Sequence, residues 1–214
     1  MTQPTTCVAI FDYGAGNLHS LAKAVATPGF EVAIITDPLG AVNRDRYDCL
    51  ILPGVGAFAA AAERIAPARE ALRAAIADGF PLIGICLGLQ LLLDASEEGA
   101  GRGLGIIPGN VRRLRASRVP QIGWNTVEES DHSREATLDM AYYANSFVCE
   151  PTDTRCVTAW TSYDGDRFPA AVRAGPSGNV VGVQFHPEKS SSAGVRYLRT
   201  LVARATQCDA GSRR

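Results

Sequence analysis

Several features that define large classes of protein are missing from this sequence. The 214 residues contain no CxxC pair and no cluster of Cys and His with the spacing of a zinc site. The six cysteines are scattered, so each is expected to be a reduced thiol rather than half of a disulfide. Their positions are Cys7, Cys49, Cys86, Cys149, Cys156 and Cys208. The sequence therefore does not indicate a small domain whose fold depends on disulfide bonds or on a structural zinc ion.

Long apolar runs and long basic runs are missing as well. Gly, Pro or a charged residue interrupts each apolar stretch well short of a membrane span. No basic segment followed by an apolar one opens the chain, so we expect no signal peptide. The net charge of -1 gives no reason to expect nucleic acid or a membrane as a partner. The densest basic stretch, residues 112–118, is interpreted as a solvated or partner-facing surface. We therefore expect a cytoplasmic protein.

The distribution of apolar residues predicts an α/β fold. In the first half, short apolar runs at 8–11, 31–35, 48–52 and 81–85 alternate with helical patterns, which is typical of a parallel central sheet with helices on both faces. The Ala-rich stretch 57–77 favours helix, with an interruption at Pro67, and a short helix is expected over 87–95. In the second half, short apolar runs separated by turn residues predict short strands, and helical spacing predicts a closing helix over 193–205. We assign one domain to residues 1–205 and a flexible tail to 206–214.

The segment 81–90 predicts a nucleophile on a strained turn. A buried strand leads directly into Cys86, with Gly84 and Gly88 at two-residue spacing and a helix starting at once. This is the G-x-nucleophile-x-G elbow with Cys in place of Ser. Glycine avoids clashes with neighbouring backbone, and the helix N-terminus favours the thiolate. The amide of Leu87 is placed to donate to an oxyanion.

A second motif supplies a base and a residue to orient it. In the segment 182–188, His186 and Glu188 lie two apart after an apolar strand, and side chains at i and i+2 of an extended chain face the same way. The carboxylate can therefore orient the imidazole, which can take the thiol proton. The Gly-rich turn after the third strand, with Val55 and Gly56, offers a second oxyanion donor near Val55.

At these motifs the chain resembles the class I (triad) glutamine amidotransferases. PGVGAF at 53–58, GICLGLQ at 84–90 and QFHPEKS at 184–190 are similar to the oxyanion loop, nucleophile elbow and His–Glu segment of that family. Within the class, the segments 12–20, 103–109 and 119–125 are similar to the glutaminase subunits of imidazole glycerol phosphate synthase, an enzyme of histidine biosynthesis. The resemblance implies a mostly parallel sheet with added antiparallel strands, and no metal or organic cofactor.

The resemblance also implies roles for individual residues. Cys86 attacks the amide carbon of glutamine, a thioester forms, and ammonia passes to a cyclase subunit in a heterodimer. The residues that match glutamine-binding positions are Gly56, Gln90, Ser146 and Phe147, and those that match positions at the subunit interface are Trp124, Asn125 and Lys189.

Two departures from the family pattern leave alternatives open. Gln121 and Asn145 stand where the family usually has His. They leave room for a glutaminase that feeds ammonia to a different synthase. A cysteine hydrolase of another class, such as a peptidase, and a non-catalytic binding subunit are the other hypotheses. A dinucleotide site at Gly14 and Gly16 is disfavoured, because His19 occupies the position that requires Gly or Ala.

Overall fold

A computed structural model describes residues 5–14, 18–129 and 138–212, with side chains described up to Thr206. The strands are β1 (Thr6–Phe11), β2 (Phe30–Ile35), β3 (Cys49–Leu52), β4 (Leu82–Ile85), β5 (Ala95–Ser96), β6 (Gly109–Arg113), β7 (Gln121–Thr126), β8 (Glu128–Glu129), β9 (Met140–Asn145), β10 (Phe147–Pro151), β11 (Val157–Tyr163), β12 (Asp166–Ala174) and β13 (Val180–Val183). The helices are α1 (His19–Val25), α2 (Phe58–Ile65), α3 (Arg69–Ala77), α4 (Leu87–Gln90) and α5 (Ser191–Ser212). Short 3₁₀ turns lie at Gly40–Val42, Ala66–Ala68, Thr154–Cys156 and Pro187–Lys189.

The main sheet has eight strands in the order β2-β1-β3-β4-β13-β12-β11-β8. The strands from β2 to β13 run parallel, whereas β12, β11 and β8 continue the sheet antiparallel. Two smaller sheets flank it, β10-β6-β5 and the antiparallel pair β7-β9. The predicted fold class, a mostly parallel sheet with added antiparallel strands, is confirmed.

Alternation along the parallel strands builds a core on each face of the sheet. In β1, Phe11 packs in one buried cluster with Phe58 of α2 and Leu72 of α3. Its neighbour Ile10 packs in the other cluster, with residues of α1 and α5 such as Leu198. Because successive side chains of a strand point to opposite faces, continuous apolar runs are what a sheet covered on both sides requires.

Local sequence explains the interruption between α2 and α3. Both helices are rich in alanine, the best helix former, and Pro67 lies in the 3₁₀ turn that separates them. The predicted break is confirmed. Among the residues described, no helix is long and apolar enough to cross a membrane.

Three boundaries or assignments differ from the sequence predictions. Helix α4 ends at Gln90 rather than at residue 95, because the carbonyls of the following leucines accept backbone hydrogen bonds from the N–H groups of the loop 104–107 instead of from a continuing helix. Helix α5 extends past the expected end at Ala205 to Ser212, so most of the segment assigned to a flexible tail is helical. Strand β10 was missed; it pairs with β6 and follows β9 after a single residue, Ser146.

The basic stretch at 112–118 is not a uniformly solvated surface. Arg112 is buried, with 6% of its surface exposed. Its guanidinium donates two hydrogen bonds of 2.7 Å to Asp166 and one of 3.0 Å to Glu150. The bidentate pair joins β6 to the start of β12, and a buried charge is tolerated only with such partners. This interpretation of the sequence was therefore wrong for Arg112.

Candidate active site

The nucleophile elbow forms where β4 passes into α4. Cys86 has φ 48° and ψ -103°, a backbone conformation that residues other than glycine rarely adopt and that clusters at active sites. Its N–H donates to Val183 of the neighbouring parallel strand, 2.7 Å away, and its carbonyl accepts from Gln90. The sulfur-bearing residue is thus held from both sides by backbone hydrogen bonds.

Both flanking glycines are required by the close approach of backbone. A Cβ on Gly88 would lie 2.0 Å from the carbonyl oxygen of Leu52 in β3, and one on Gly84 would lie 2.6 Å from the carbonyl oxygen of Gly88. A third glycine, Gly54, is packed nearly as tightly, which the sequence analysis did not predict. A Cβ on Gly54 would lie 2.8 Å from the Cβ of Cys86 and 2.9 Å from Cε1 of His186.

His186 and Glu188 follow β13, the parallel neighbour of β4. Because the carboxyl ends of parallel strands meet at one edge of a sheet, the two motifs converge there. Nδ1 of His186 lies 2.8 Å from Oε1 of Glu188, and the ring also interacts with the side chain of Cys86. The hydroxyl of Ser190 donates to the carbonyl of His186 at 2.7 Å and accepts from the N–H of Tyr142, which fixes the turn.

The environment of His186 favours its charged form. The ring is 3% exposed, and burial alone would lower its pKa. The hydrogen bonds and charges of Cys86 and Glu188 outweigh burial and raise the pKa of His186 from 6.5 to about 9. At neutral pH the site therefore holds an imidazolium beside the sulfur, which is the arrangement of an activated cysteine nucleophile.

A cavity of about 210 Å³ opens beside the sulfur. The residues that line it are Gly54, Gly56, Cys86, Leu87, Gln90, Glu98, Ala144, Asn145, Ser146 and Phe147. Every residue expected to hold the substrate therefore lines one small cavity, whereas Glu98 and Ala144 carried no signal in the sequence. The carbonyl of Phe147 accepts hydrogen bonds from Gln90 at 3.1 Å and from Asn145 at 3.3 Å, which fixes this wall.

Val55, expected near the oxyanion, lines a second cavity of about 210 Å³ rather than the cavity beside the sulfur, which its neighbours Gly54 and Gly56 line. The second cavity is lined by Leu18, Ser20, Leu21, Pro53, Gly54, Val55, Glu188 and Lys189. The two cavities share Gly54, so the loop 53–56 separates the sulfur from the surface that carries Lys189. In the part of the chain described, no group of three or more His, Cys, Asp or Glu could hold a metal ion.

The residues expected at a subunit interface differ in their environments. Trp124 is 51% exposed and stacks edge-on against Tyr142 with ring centroids 6.4 Å apart. Lys189 is exposed. Asn125, however, turns its amide inward and donates to Oγ1 of Thr161 at 3.1 Å and to the carbonyl of Ser162 at 2.9 Å. Its side chain joins β7 to β11.

A residue that contacts the sulfur was also missed by the sequence reasoning. Gln184 is fully buried, and its Nε2 lies 3.5 Å from the sulfur of Cys86. It lies two residues before His186, so alternation places it on the same side of the chain as His186, but its contact with the sulfur depends on the neighbouring strand β4.

Comparison with known proteins agrees with this geometry. The family model for glutamine amidotransferase class-I matches residues 9–204. The chain is 45% identical over 205 residues to the imidazole glycerol phosphate synthase subunit HisH of Halobacterium salinarum, covering 91% of this chain and 92% of that one. It is 44% identical over 211 residues to the HisH subunit of Natronomonas pharaonis, covering 94% and 96%.

Solved structures share the fold at lower identity. A glutamine amidotransferase crystal structure superposes with a TM-score of 0.68 at 18% identity, covering 92% of this chain and 98% of that one. The glutaminase domain of Trypanosoma brucei CTPS with bound acivicin gives a TM-score of 0.65 at 15% identity, covering 97% and 94%.

Proposed function

Because the chain belongs to the class I glutamine amidotransferases and, within them, to the HisH subunits of imidazole glycerol phosphate synthase, we propose that it hydrolyses glutamine to glutamate and ammonia. The ammonia serves a cyclase subunit, with which the chain forms a heterodimer, in histidine biosynthesis. The proposal depends on one observation. His186 interacts with Cys86 on one side and with Glu188 on the other, and this triad lies beside a cavity of about the size of an amino acid.

The geometry supports a thioester mechanism. The thiolate of Cys86 attacks the carboxamide carbon, and the N–H groups of Leu87 and of the loop at Val55 and Gly56 stabilise the oxyanion. His186 gives its proton to the departing nitrogen, which leaves as ammonia. Water then attacks the thioester, His186 takes its proton, and glutamate leaves as the C–S bond breaks. Glu188 keeps the ring oriented and stabilises its charge.

The cavity lining supports glutamine as the ligand. Gln90, Ser146, Phe147 and Gly56 line this cavity, and their amide, hydroxyl and peptide groups match the hydrogen-bonding groups of an amino acid. The second cavity, behind the loop 53–56, is our candidate for the exit of ammonia toward Lys189. We further propose that residues 1–205 act as one glutaminase domain in the cytoplasm, in keeping with the five cysteines described as free thiols.

The pair β7-β9 is the proposed cyclase-binding surface. Its outward face carries three large hydrophobic side chains, with Ile122 67%, Trp124 51% and Met140 46% exposed. Register places them on one face, because residues paired across antiparallel strands share a side. Exposed apolar side chains gathered on one patch are typical of protein interfaces.

Glutamate release tests the proposal, measured for the chain alone and with a cyclase subunit plus its nucleotide ligand. We expect strong stimulation by the partner and no activity in Cys86→Ala. Trp124→Ala should keep basal activity and lose stimulation. The matched control is Leu39→Ala, since Leu39 is a similarly exposed hydrophobic residue, at 56%, outside the β7-β9 pair.

The same assay separates the alternatives. Activity that ignores the partner would indicate a glutaminase of a different synthase. The absence of glutamate under both conditions would refute the proposal and favour a peptidase or a non-catalytic subunit.

A further inference from the structure

Gln184 contacts the reacting sulfur from a position outside the triad. Its side chain has no exposed surface, and its Nε2 donates to Sγ of Cys86 across 3.5 Å. Its backbone N–H is held by the carbonyl of Ala170 in β12 at 2.9 Å. Its Oε1 is buried and has no hydrogen-bond partner among the residues described. A buried amide oxygen without a partner is costly, so the arrangement calls for an explanation.

Alternation along the chain puts Gln184 on the catalytic side. Gln184, His186 and Glu188 are two residues apart, whereas Phe185 between them points into the core. The ring of Phe185 packs against Tyr143 and Tyr197, with centroid distances of 5.9 and 5.7 Å. Because the ring of Phe185 is held in the core, the backbone on both sides of it is fixed. The side chains of Gln184 and His186 are therefore both directed toward the sulfur of Cys86.

The chemistry of an amide N–H distinguishes it from the imidazole. It donates to the sulfur and does not titrate, so the hydrogen bond remains when His186 has given its proton away. A donor of this kind stabilises a sulfur anion more than a neutral thiol, because hydrogen bonds to charged acceptors are the stronger ones. Since Oε1 has no hydrogen-bond partner among the residues described, the sulfur is the described contact that orients the amide.

We propose that Gln184 is a further catalytic residue, which holds the Cys86 thiolate through its side-chain N–H. The inference rests on the proposed glutaminase function. Gln184 stabilises the thiolate before attack on the carboxamide carbon. It acts again when water attacks the thioester, because the C–S bond then breaks and its electron pair returns to the sulfur. At that step His186 holds the proton taken from water, and Gln184 donates as before.

Alkylation of Cys86 by iodoacetamide measures the thiolate directly and needs no glutamine. The rate is followed by mass spectrometry of the peptide that carries Cys86, which separates it from the other cysteines, between about pH 5 and pH 9. The titratable groups that surround the sulfur are His186, Glu188, Glu98 and Cys149. Both variants retain these groups, and Gln184→Met adds no titratable group, so a difference between that variant and the wild type reports the amide.

Two variants remove the donor in different ways. Gln184→Met keeps the volume, and we expect alkylation about tenfold slower at pH 7, with the deficit shrinking as the pH rises. Gln184→Glu places an anion at the sulfur and should slow the reaction further. Glutamate release should fall in the same order. Gln184→Glu retains the shape of glutamine and decides the question if the Met variant does not fold.

Asn179→Leu is the matched control. Asn179 is a buried amide at the other end of β13, and it donates to the carbonyls of Ile76 and Phe80 rather than to the sulfur. Its loss should lower the melting temperature without changing the shape of the alkylation profile. An unchanged profile in folded Gln184 variants, or a loss equal at every pH, would overturn the inference. A wild-type chain that alkylates as expected but releases no glutamate would refute the proposed function instead.

Discussion

Replacement of Glu188 by glutamine isolates the charge that orients the base. The carboxylate is 9% exposed, its Oε1 lies 2.8 Å from Nδ1 of His186, and its Oε2 has no hydrogen-bond partner among the described residues. Among the described residues, the imidazole of His186 is therefore the group that balances the buried negative charge of Glu188. Glu188→Gln keeps the shape of the side chain and removes the charge, so any loss of activity comes from the electrostatics and hydrogen bonding of His186.

The geometry sets the size of the expected loss. A hydrogen bond to a charged group contributes about 1.5–3 kcal/mol, or roughly ten- to a hundredfold in rate. A further loss arises if the amide nitrogen faces Nδ1 and selects the wrong tautomer, since such a change costs about 10⁴ in a Ser-His-Asp triad. We expect kcat to fall by about 10² to 10⁴ in Glu188→Gln. His186→Ala, which removes the base itself, should fall at least about tenfold further.

Steady-state glutamate release in the presence of the cyclase subunit is the assay, with thermal unfolding as a check on folding. Glu150→Gln is the control, because it removes a carboxylate that lies 3.0 Å from the buried Arg112 and is far along the chain from the triad. That variant should keep its activity within about twofold. A Glu188→Gln enzyme as active as the control, or equal losses in Glu188→Gln and His186→Ala, would refute the assigned roles.

Two further predictions concern stability. The pKa of His186 is raised in the folded chain from 6.5 to about 9, so its contribution to stability is complete below about pH 6.5 and is lost as the pH rises through about 9. The wild-type melting temperature should therefore fall across this window by more than that of His186→Ala, and parallel curves would contradict the raised pKa. Gly88→Ala should cost about 3 kcal/mol or more, because its Cβ would lie 2.0 Å from the carbonyl oxygen of Leu52. Gly79→Ala, with φ +90 and nothing within 4 Å, should cost only about 1–2 kcal/mol in thermal unfolding, and equal costs would show that the clash is relieved.

Local sequence patterns predicted much of the fold and of the catalytic site. The apolar runs identified the parallel strands, since strands such as β3 and β4, which are buried on both faces, must be apolar throughout, and Pro67 marked the break between α2 and α3. The elbow glycines around Cys86, and the spacing of His186 and Glu188, indicated the triad because each depends on neighbours in the chain. Backbone geometry between neighbouring residues sets these spacings, so the sequence predicts them without tertiary information.

Other features depend on contacts between residues distant in the chain, and only the tertiary structure decided them. Gln184 is a catalytic candidate because β13 lies beside β4, which brings its amide to a sulfur 98 residues away. Arg112 is buried because Asp166, 54 residues later, neutralises it. Asn125 turns inward because β11 offers acceptors. Each of these side chains is polar and could equally face water, and the choice depends on whether folding supplies a partner that repays its desolvation.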